Sequence, residues 1–364
     1  MRVRDVVEEL ERMAPTRYAE SWDNVGLLVG DPDANVSRVL VTIDLTREVA
    51  EEAFAAGADF VIAYHPPIFE GLKRLGWGTP VTEAVRRGVA LYSPHTALDV
   101  APGGTNDVLA DVCGVSAEGR TALRVTQPKD SEYKLITFVP EEALERVSEA
   151  LFAAGAGRIG KYSSCSFRSP GTGTFFGEEG THPTVGAAGQ LERAAEIRLE
   201  TVLPIARLGP VLHALRRSHP YEEPAFDLVR LAVAPASSRG LGRIGSLSGG
   251  RVPRQQLIET IKTGLGVERL LVAGPREGDV ERVAVCAGAC GDLYKDAIAQ
   301  KAEVYVTGEL RHHDALAAAA RGMTVVAALH SNSERRALDH LAERLRAHVE
   351  VVRSDRDRDP FTVL

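Results

Sequence analysis

Two stretches at opposite ends of the chain repeat the same alternation of short apolar strands and helices. In the first stretch, RVLVTIDL, DFVIAYH and VALYSPHTALD predict strands, and REVAEEAFAAGA and PVTEAVRRG predict the helices between them. In the second, RVAVCAGACG, EVYVTGEL and MTVVAALHSNSE predict strands, separated by the helices LYKDAIAQKA and HHDALAAAARG. Strands that alternate with helices form buried, largely parallel sheets. The pattern therefore predicts an α/β core built from two similar half-units.

The middle of the chain follows a different order of elements. Strands are predicted at YKLITFV, GRIGKYSSCSFRS, AAEIRLETVLP and EPAFDLVRL, with one helix after the first strand and another before the last. This βαββαβ order is the ferredoxin-like plan. Between its middle strands, SPGTGTFFGEEGTHPTVGAAG is rich in Gly, Thr and Pro and predicts a long loop, and SHPYEEPAFD predicts a turn. We therefore expect an inserted α+β domain.

The length supports more than one domain, because a single hydrophobic core stops growing near ~250–300 residues and the chain has 364. We place the first half of the core at 1–131, the inserted domain at 132–232 and the second half at 233–364. The segment VAPASSRGLG is the predicted return linker.

Charge and hydropathy exclude several classes of partner. The formal net charge of −7 argues against a nucleic-acid or anionic-membrane partner, which would favour a basic face. No run approaches the ~18 apolar residues of a membrane span. The segment MRVRDVVEELERMAP predicts an amphipathic helix with acidic residues rather than a signal peptide, so we expect a cytoplasmic protein.

Four cysteines are too few for a disulfide framework, and their spacing does not fit a zinc knuckle. Only Cys286 and Cys290 are close in sequence. We expect both to be small core and turn residues rather than metal ligands.

Histidines and a carboxylate follow predicted strands in both half-units. His65 comes after an apolar strand and before two prolines, which is also the pattern of a simple strand end. His330 and Glu334 are four residues apart at a loop-to-helix junction, a spacing that can aim both side chains at one point. The alternative for this junction is a helix N-cap formed by Ser331 or Ser333, with Glu334 in the favourable first turn.

Asp99 lies in the loop predicted after another strand, where an Asx turn is the structural alternative. In open α/β sheets, ligands bind beyond the carboxyl ends of the strands. His65, Asp99, His330 and Glu334 therefore form a predicted divalent-metal site, and mixed imidazole and carboxylate ligands favour zinc, iron or manganese over calcium. A carboxylate that bridges two ions would create a two-metal centre.

Two further features allow alternative interpretations. Trp22, Asp23 and Asn24 could line a pocket or form a turn before a buried strand. Glu309 occupies the position in the second half-unit that His65 has in the first, and we expect its carboxylate to contact a metal ligand rather than the ion itself.

The motifs SWDNVGLLVG, YHPPIF, HTALDVAPGGTND, TGELRHHDA and HSNSER occur in order through both ends of the chain. Together they resemble the Nif-three-like family of dinuclear metal-centre proteins, whose members are often described as GTP cyclohydrolase I type 2 homologues. The middle of the chain resembles the inserted domain of the longer bacterial members, which is similar to the trimeric CutA and PII folds. The resemblance implies a toroidal homohexamer.

The resemblance also implies a ligand set. The family holds two ions with a His-His pair, an Asp and a His-x-x-x-Glu, which correspond here to Tyr64 with His65, to Asp99, and to His330 with Glu334. Tyr64 departs from this pattern, because a phenol with a pKa of ~10 is a poor ligand unless it is deprotonated. We therefore expect one or two divalent ions per chain.

These observations support two functional hypotheses. The first is a metal-dependent hydrolase that acts on a small or nucleotide-like substrate. The second is a non-catalytic metal-binding scaffold or regulatory protein. The sequence contains no phosphate-binding loop of the GxxxxGK[ST] type, so nucleotide binding has no separate support from a motif.

Overall fold

The computed structural model describes residues 1–126, 132–160, 162–231 and 238–362. The chain forms two compact units, Met1–Gln127 with Pro235–Leu364, and Pro128–Ala234. The limits that we predict for the inserted domain at 131 and 232, and the first part of the return linker, lie outside the described residues.

The first half of the first unit alternates strands with helices, and most strands are short. Its elements are α1 (Val3–Met13), β1 (Gly26–Val29), β2 (Arg38–Thr42), α2 (Arg47–Ala55), β3 (Phe60–Ala63), α3 (Pro80–Arg87), β4 (Ala90–Ser93), α4 (His95–Val100), α5 (Thr105–Val112) and β5 (Thr121–Val125). The predicted strands and helices are all present, but the segment that contains Asp99 is the short helix α4 rather than a loop.

The second unit has the predicted ferredoxin-like order. Its elements are β6 (Glu132–Val139), α6 (Leu144–Ala153), β7 (Ser166–Phe176), β8 (Leu191–Pro204), α7 (Leu208–Ser218) and β9 (Phe226–Arg230). The strands form an antiparallel sheet in the order β7-β8-β6-β9. The helices bury one apolar face each, through Val147 and Leu151 of α6 and Val211 and Leu215 of α7, in a common core with sheet residues.

The predicted glycine-rich loop of this unit is wrong in its first part. The segment SPGTGTFF continues β7 and pairs with β8 along its whole length, from Ser169 opposite Arg198 to Phe176 opposite Leu191. The two glycines within it weaken a strand, but antiparallel pairing with a long partner outweighs this local preference. Only the remainder, from Gly177 to the start of β8, connects the two strands.

The turn predicted at SHPYEEPAFD follows α7 and is held by His219. Its Nε2 atom lies 3.0 Å from the Phe138 carbonyl oxygen, and its Nδ1 accepts a hydrogen bond from the Tyr221 backbone N–H at 3.1 Å. His219 therefore joins the turn to β6, which agrees with the structural role predicted for this segment.

The second half of the first unit completes the core. Its elements are β10 (Gly240–Ser246), β11 (Val252–Pro253), α8 (Arg254–Leu265), β12 (Leu271–Ala273), β13 (Asp279–Val280), β14 (Arg282–Ala289), α9 (Tyr294–Ala299), β15 (Val304–Glu309), α10 (His312–Ala320), β16 (Thr324–Ala327), α11 (His330–Arg346) and β17 (Glu350–Arg353). None of the helices among the described residues is long and apolar enough to cross a membrane.

Two sheets of this unit have matching parallel cores. One sheet has the order β1-β4-β3-β2-β17, in which β2, β3 and β4 run parallel. The other has the order β12-β16-β15-β14-β10-β5, in which β14, β15 and β16 run parallel. The duplicated strand–helix pattern of the sequence therefore corresponds to two similar half-units.

The half-units exchange their outer elements. The C-terminal strand β17 pairs with β2 of the first sheet, and β5 from the first half pairs with β10 at the edge of the second sheet. Helix α11 likewise buries Leu338 and Leu341 in the core cluster that contains residues of the first sheet. This exchange brings residues from both ends of the sequence together.

Candidate metal centre

His65 lies just beyond the carboxyl end of β3. Its backbone N–H donates to the Ile43 carbonyl oxygen at 3.0 Å, so the ladder with the neighbouring chain segment continues past the last strand residue. The prolines that follow cannot donate backbone hydrogen bonds and end the ladder there. The two nitrogens of the imidazole contact different carboxylates. Nδ1 is 2.9 Å from Oδ1 of Asp44, and Nε2 is 3.3 Å from Oε2 of Glu334.

His330 and Glu334 occupy successive turns at the start of α11. The four-residue spacing brings Nε2 of His330 within 3.4 Å of Oε1 of Glu334, as the sequence predicts. The residue before them, Leu329, has a φ of 70°, a left-handed conformation that is strained for a leucine. Leu329 lies between the end of β16 and the first residue of α11, His330.

The alternative that Ser331 or Ser333 caps this helix is wrong. The helix has no side-chain cap. Ser331 donates instead to Oδ2 of Asp359 at 2.7 Å, and Ser333 accepts a hydrogen bond from the Gly288 N–H at 2.8 Å. Ser333 thus ties the start of α11 to the segment that ends β14.

The side chains of His65, His330 and Glu334 form one cluster. Each offers a ligand atom, and the three atoms lie within 4.8 Å of one another. The Glu334 side chain is only 4% exposed, and its Oε2 has no hydrogen-bond partner among the described residues. A buried carboxylate oxygen without such a partner is costly unless a cation satisfies it. The donor set therefore fits a divalent cation.

The charged residues of the cluster shift one another's pKa values. Burial disfavours the imidazolium form of His65, but the nearby carboxylates of Asp44 and Glu334 outweigh this effect and raise its pKa to about 10. The carboxylate of Glu334 also raises the pKa of His330. Burial raises the pKa of Glu334, yet the two histidines lower it overall. The cluster therefore keeps Glu334 ionised and holds positive charge beside it.

Each histidine of the cluster also contacts a further carboxylate through its Nδ1 atom. Asp44 contacts Nδ1 of His65, and Oε1 of Glu309 lies 3.0 Å from Nδ1 of His330. Such pairs fix the tautomer and leave the other nitrogen free to bind a metal. The sequence predicts this role for Glu309 but not for Asp44, although Asp44 follows β2 in the same way that the other site residues follow their strands.

Asp99 contacts Tyr64 rather than the three-residue cluster. The Tyr64 hydroxyl donates to Oδ1 of Asp99 and lies 2.9 Å from Oγ1 of Thr105. Burial, together with the charges of Asp99 and Glu334, raises the pKa of Tyr64 well above its ordinary value, so the phenol stays protonated. Burial and the charge of Glu334 raise the pKa of Asp99 to about 6.

Helix α5 follows Gly104, which is its N-cap, and among the described residues no side chain caps it. The Asn106 side chain donates to the Asp99 carbonyl oxygen at 3.0 Å and accepts from the Ala287 N–H at 2.9 Å. Asn106 therefore connects the Asp99 helix with β14.

The segment at the end of β14 closes one side of the cluster. Gly288 has a φ of 69°, and a Cβ placed on it would lie 2.6 Å from Oε1 of Glu334 and 3.3 Å from Nε2 of His330. Cys286 and Cys290 flank this glycine and form a disulfide with Cα atoms 6.3 Å apart. Their core and turn positions agree with the sequence, but the bond between them is not predicted from it.

The whole chain is similar to a described family. The model for Duf34/NIF3 (NGG1p interacting factor 3) matches residues 1–360. The chain belongs to the Duf34/NIF3 family. A GTP cyclohydrolase 1 type 2 homolog from Halalkalibacterium halodurans is 35% identical over 371 residues, which cover 99% of this chain and 98% of the relative. A homolog of the same description from Bacillus subtilis is 36% identical over 369 residues, with the same coverage of both chains.

Two solved structures match this chain over its full length. The Bacillus cereus protein related to NIF3 has 34% identity and a TM-score of 0.69, covering 100% of this chain and 99% of its own. Staphylococcus aureus SA1388 has 27% identity and a TM-score of 0.78 with the same coverage. The resemblance stated from the motifs and the predicted fold class are thereby confirmed.

In this Duf34/NIF3 member, the structure brings together three of the four predicted ligands, His65, His330 and Glu334. Asp99 lies nearby and interacts electrostatically with Glu334, but its carboxylate is engaged by Tyr64.

Proposed function

We propose that His65, His330 and Glu334 hold a divalent cation and that the protein is a metal-dependent hydrolase of a small or nucleotide-like substrate. The observation that carries this proposal is the buried Oε2 of Glu334, which lacks a hydrogen-bond partner among the described residues and faces Nε2 of His65 at 3.3 Å. Two imidazoles and a carboxylate favour zinc, iron or manganese.

The residues around the cation would have separate roles. When bound, a cation of this type supplies Lewis-acid chemistry, polarising a substrate oxygen and lowering the pKa of a water molecule. Asp44 and Glu309 hold the two imidazoles in place through their Nδ1 atoms. The carboxyl group of Asp99, which Tyr64 holds through Oδ1, would exchange a proton with a water or a substrate hydroxyl near neutral pH, because burial and the charge of Glu334 raise its pKa to about 6.

A specific observation supports the non-catalytic alternative. The neutral hydroxyl of Tyr64 occupies Asp99, which withdraws that carboxylate from the cluster. A site with a single firmly held ion and no second ligand set could serve as a structural or regulatory metal site.

Metal analysis and turnover separate the two functions. We expect purified protein to retain at least one ion per chain by elemental analysis. The metal-loaded protein should hydrolyse GTP or another member of a nucleotide library, and His330→Ala combined with Glu334→Ala should abolish both properties. His340→Ala combined with Glu343→Ala, on the same helix but outside the cluster, is the matched control. Equal turnover by both double variants would refute the hydrolase, and bound metal without turnover would favour the scaffold.

The family relationship also leads us to propose a homohexamer. Light scattering on the full chain measures this directly, and a mass of six chains is expected. A monomer over the working concentration range would refute this assembly.

A further inference from the structure

Two large aromatic side chains are exposed beside the candidate metal centre. Trp22 is 58% exposed and Phe69 is 51% exposed, and their ring centroids are 5.8 Å apart with the planes inclined at 43°. Adjacent exposed apolar side chains are candidate interaction surfaces, because their burial against a ligand is favourable.

The segment that carries Trp22 is held in place by hydrogen bonds of the residue that follows it. The next residue, Asp23, has a side chain with no exposed surface. Its Oδ1 lies 2.8 Å from Nδ1 of His95, and its Oδ2 accepts hydrogen bonds from the backbone and side chain of Thr96. A buried carboxylate with this many partners fixes the backbone on which Trp22 stands.

The segment that carries Phe69 is joined to the first one. The Asn24 side chain donates to the carbonyl oxygen of Ile68 at 2.6 Å. Trp22 and Phe69 therefore each lie next to an anchored residue, and the two anchors are coupled. A ligand that binds to a surface already ordered in this way loses less free energy on binding.

A continuous series of ring contacts leads from this pair to the candidate metal ligands. The Trp22 and His95 centroids are 6.0 Å apart, and those of His95 and His65 are 5.4 Å apart. The His65 and His330 centroids follow at 5.3 Å. A molecule resting on the aromatic pair would therefore border the proposed metal site.

We propose that Trp22 and Phe69 form a binding subsite for the planar heteroaromatic ring of a substrate whose reacting group lies at the metal centre. An indole face stacks on flat rings of many kinds, and such stacking tolerates changes of base. This inference rests on the proposed function, because it identifies the class of substrate that the hydrolase takes.

The second tryptophan of the chain differs in its surroundings. Trp77 is 81% exposed, but the Arg86 guanidinium lies over its ring at 5.0 Å from the centroid. One face of Trp77 is thus covered by a cation, and Trp77 takes no part in the ring contacts described above. Substitution of Trp77 therefore provides a control that removes the same type of side chain.

Calorimetric titration with guanosine 5′-monophosphate, cytidine 5′-monophosphate and ribose 5-phosphate tests the subsite. Both nucleotides should bind the metal-loaded full chain, and ribose 5-phosphate, which lacks the flat ring, should bind far more weakly.

Trp22→Ala should weaken nucleotide binding by roughly tenfold to a hundredfold, the usual range for loss of one stacking partner. Trp22→Phe should keep most of the affinity, and Trp77→Ala should leave it unchanged. In Trp77→Phe, where Trp22 is the only tryptophan, both nucleotides should quench the emission.

Several results would overturn the subsite. These are no binding of either nucleotide, equal binding of ribose 5-phosphate, or equal losses in Trp22→Ala and Trp77→Ala. A change of oligomeric mass in Trp22→Ala with unchanged nucleotide affinity would instead assign the surface to contacts between copies of the chain.

Metal content and turnover are measured on the same variants. Ring-dependent binding without metal or turnover would count against the hydrolase alone, and intact turnover with unaltered affinity in Trp22→Ala would count against the subsite alone.

Discussion

The hydroxyl group of Tyr64 donates a hydrogen bond to the carboxylate of Asp99, at the position where the family pattern has the first histidine of a pair. Tyr64 is fully buried, and its raised pKa keeps the phenol neutral. A neutral phenol is a hydrogen-bond donor and a poor metal ligand. In this chain, Asp99 is therefore held by a donor that a second cation would have to displace.

Replacing Tyr64 with histidine should increase the amount of bound metal. An imidazole at this position is a better ligand than a neutral phenol and frees the carboxylate of Asp99. Elemental analysis of Tyr64→His should show more metal per chain than the wild type, and Tyr64→Phe, which also removes the hydroxyl but adds no ligand, should show no increase. An unchanged metal content in Tyr64→His would mean that a second ion does not depend on this position.

Removing the Tyr64 hydroxyl should destabilise the protein. Tyr64→Phe loses the hydrogen bonds to Asp99 and Thr105 and leaves a carboxylate with less support, which costs about 1–3 kcal/mol. Tyr92→Phe is the matched control, because the Tyr92 hydroxyl is buried in the neighbouring strand without a hydrogen-bond partner among the described residues. Denaturant unfolding should show a clear loss for Tyr64→Phe and little or none for Tyr92→Phe. Equal losses would show that the hydroxyl contacts of Tyr64 contribute nothing.

The sequence predicts the position of the site better than its contacts. The order of strands and helices predicts that His65 and Glu309 lie at the carboxyl ends of parallel strands, and the structure has them just after β3 and at the end of β15. The same rule applied to the end of β2 would also have found Asp44. By contrast, the hydrogen bond between Tyr64 and Asp99 depends on how a short helix packs against a strand, which no local pattern contains.

Tertiary pairing explains the other differences from the sequence. The glycine-rich part of β7 has weak strand preference by itself and becomes a strand because β8 offers a full-length partner. Ser331 and Ser333 have the chemistry of helix caps, but contacts with distant residues use their hydroxyls instead. The sequence predicts Cys286 and Cys290 as small core and turn residues without a bond between them, because spacing alone gives no distance between the two sulfurs.

His219 should make the inserted unit less stable in acid. Burial lowers the pKa of its imidazole below the ordinary value of 6.5, because the charged form loses its hydration inside the protein. The neutral ring also accepts a hydrogen bond from the Tyr221 N–H. The unfolded chain therefore binds more protons, and the contribution of His219 is present above about pH 6.5 and lost as the pH falls toward the lower folded value.

Comparison with His219→Gln measures this effect, because glutamine offers both a donor and an acceptor without titrating. The stability advantage of the wild type should shrink as the pH falls below about 6.5, and NMR titration should give His219 a pKa below that value. An advantage that grows on acidification would contradict the assigned hydrogen bonds.

The disulfide between Cys286 and Cys290 should contribute modestly to stability. It closes a loop of only five residues, for which loss of chain entropy in the unfolded state accounts for about 2 kcal/mol. Dithiothreitol should lower the denaturant midpoint of the wild type and of Cys165→Ser, but not of Cys286→Ser combined with Cys290→Ser. Thiol titration of the unfolded, unreduced wild type should find only Cys113 and Cys165 reactive, and four reactive thiols would refute the bond.

Adding a methyl group at Gly288 should disrupt the candidate metal centre. The Cβ of alanine would lie 2.6 Å from Oε1 of Glu334, so either the ligand pair or the backbone at the end of β14 must move. Gly291→Ala is the matched control, because Gly291 also has a positive φ, of 53°, but no atom of the described residues lies within 4 Å of the added Cβ. Both variants bear the left-handed backbone cost of roughly 1–2 kcal/mol. Only Gly288→Ala should also lose bound metal by elemental analysis, and equal metal content in the two variants would show that Gly288 does not shape the site.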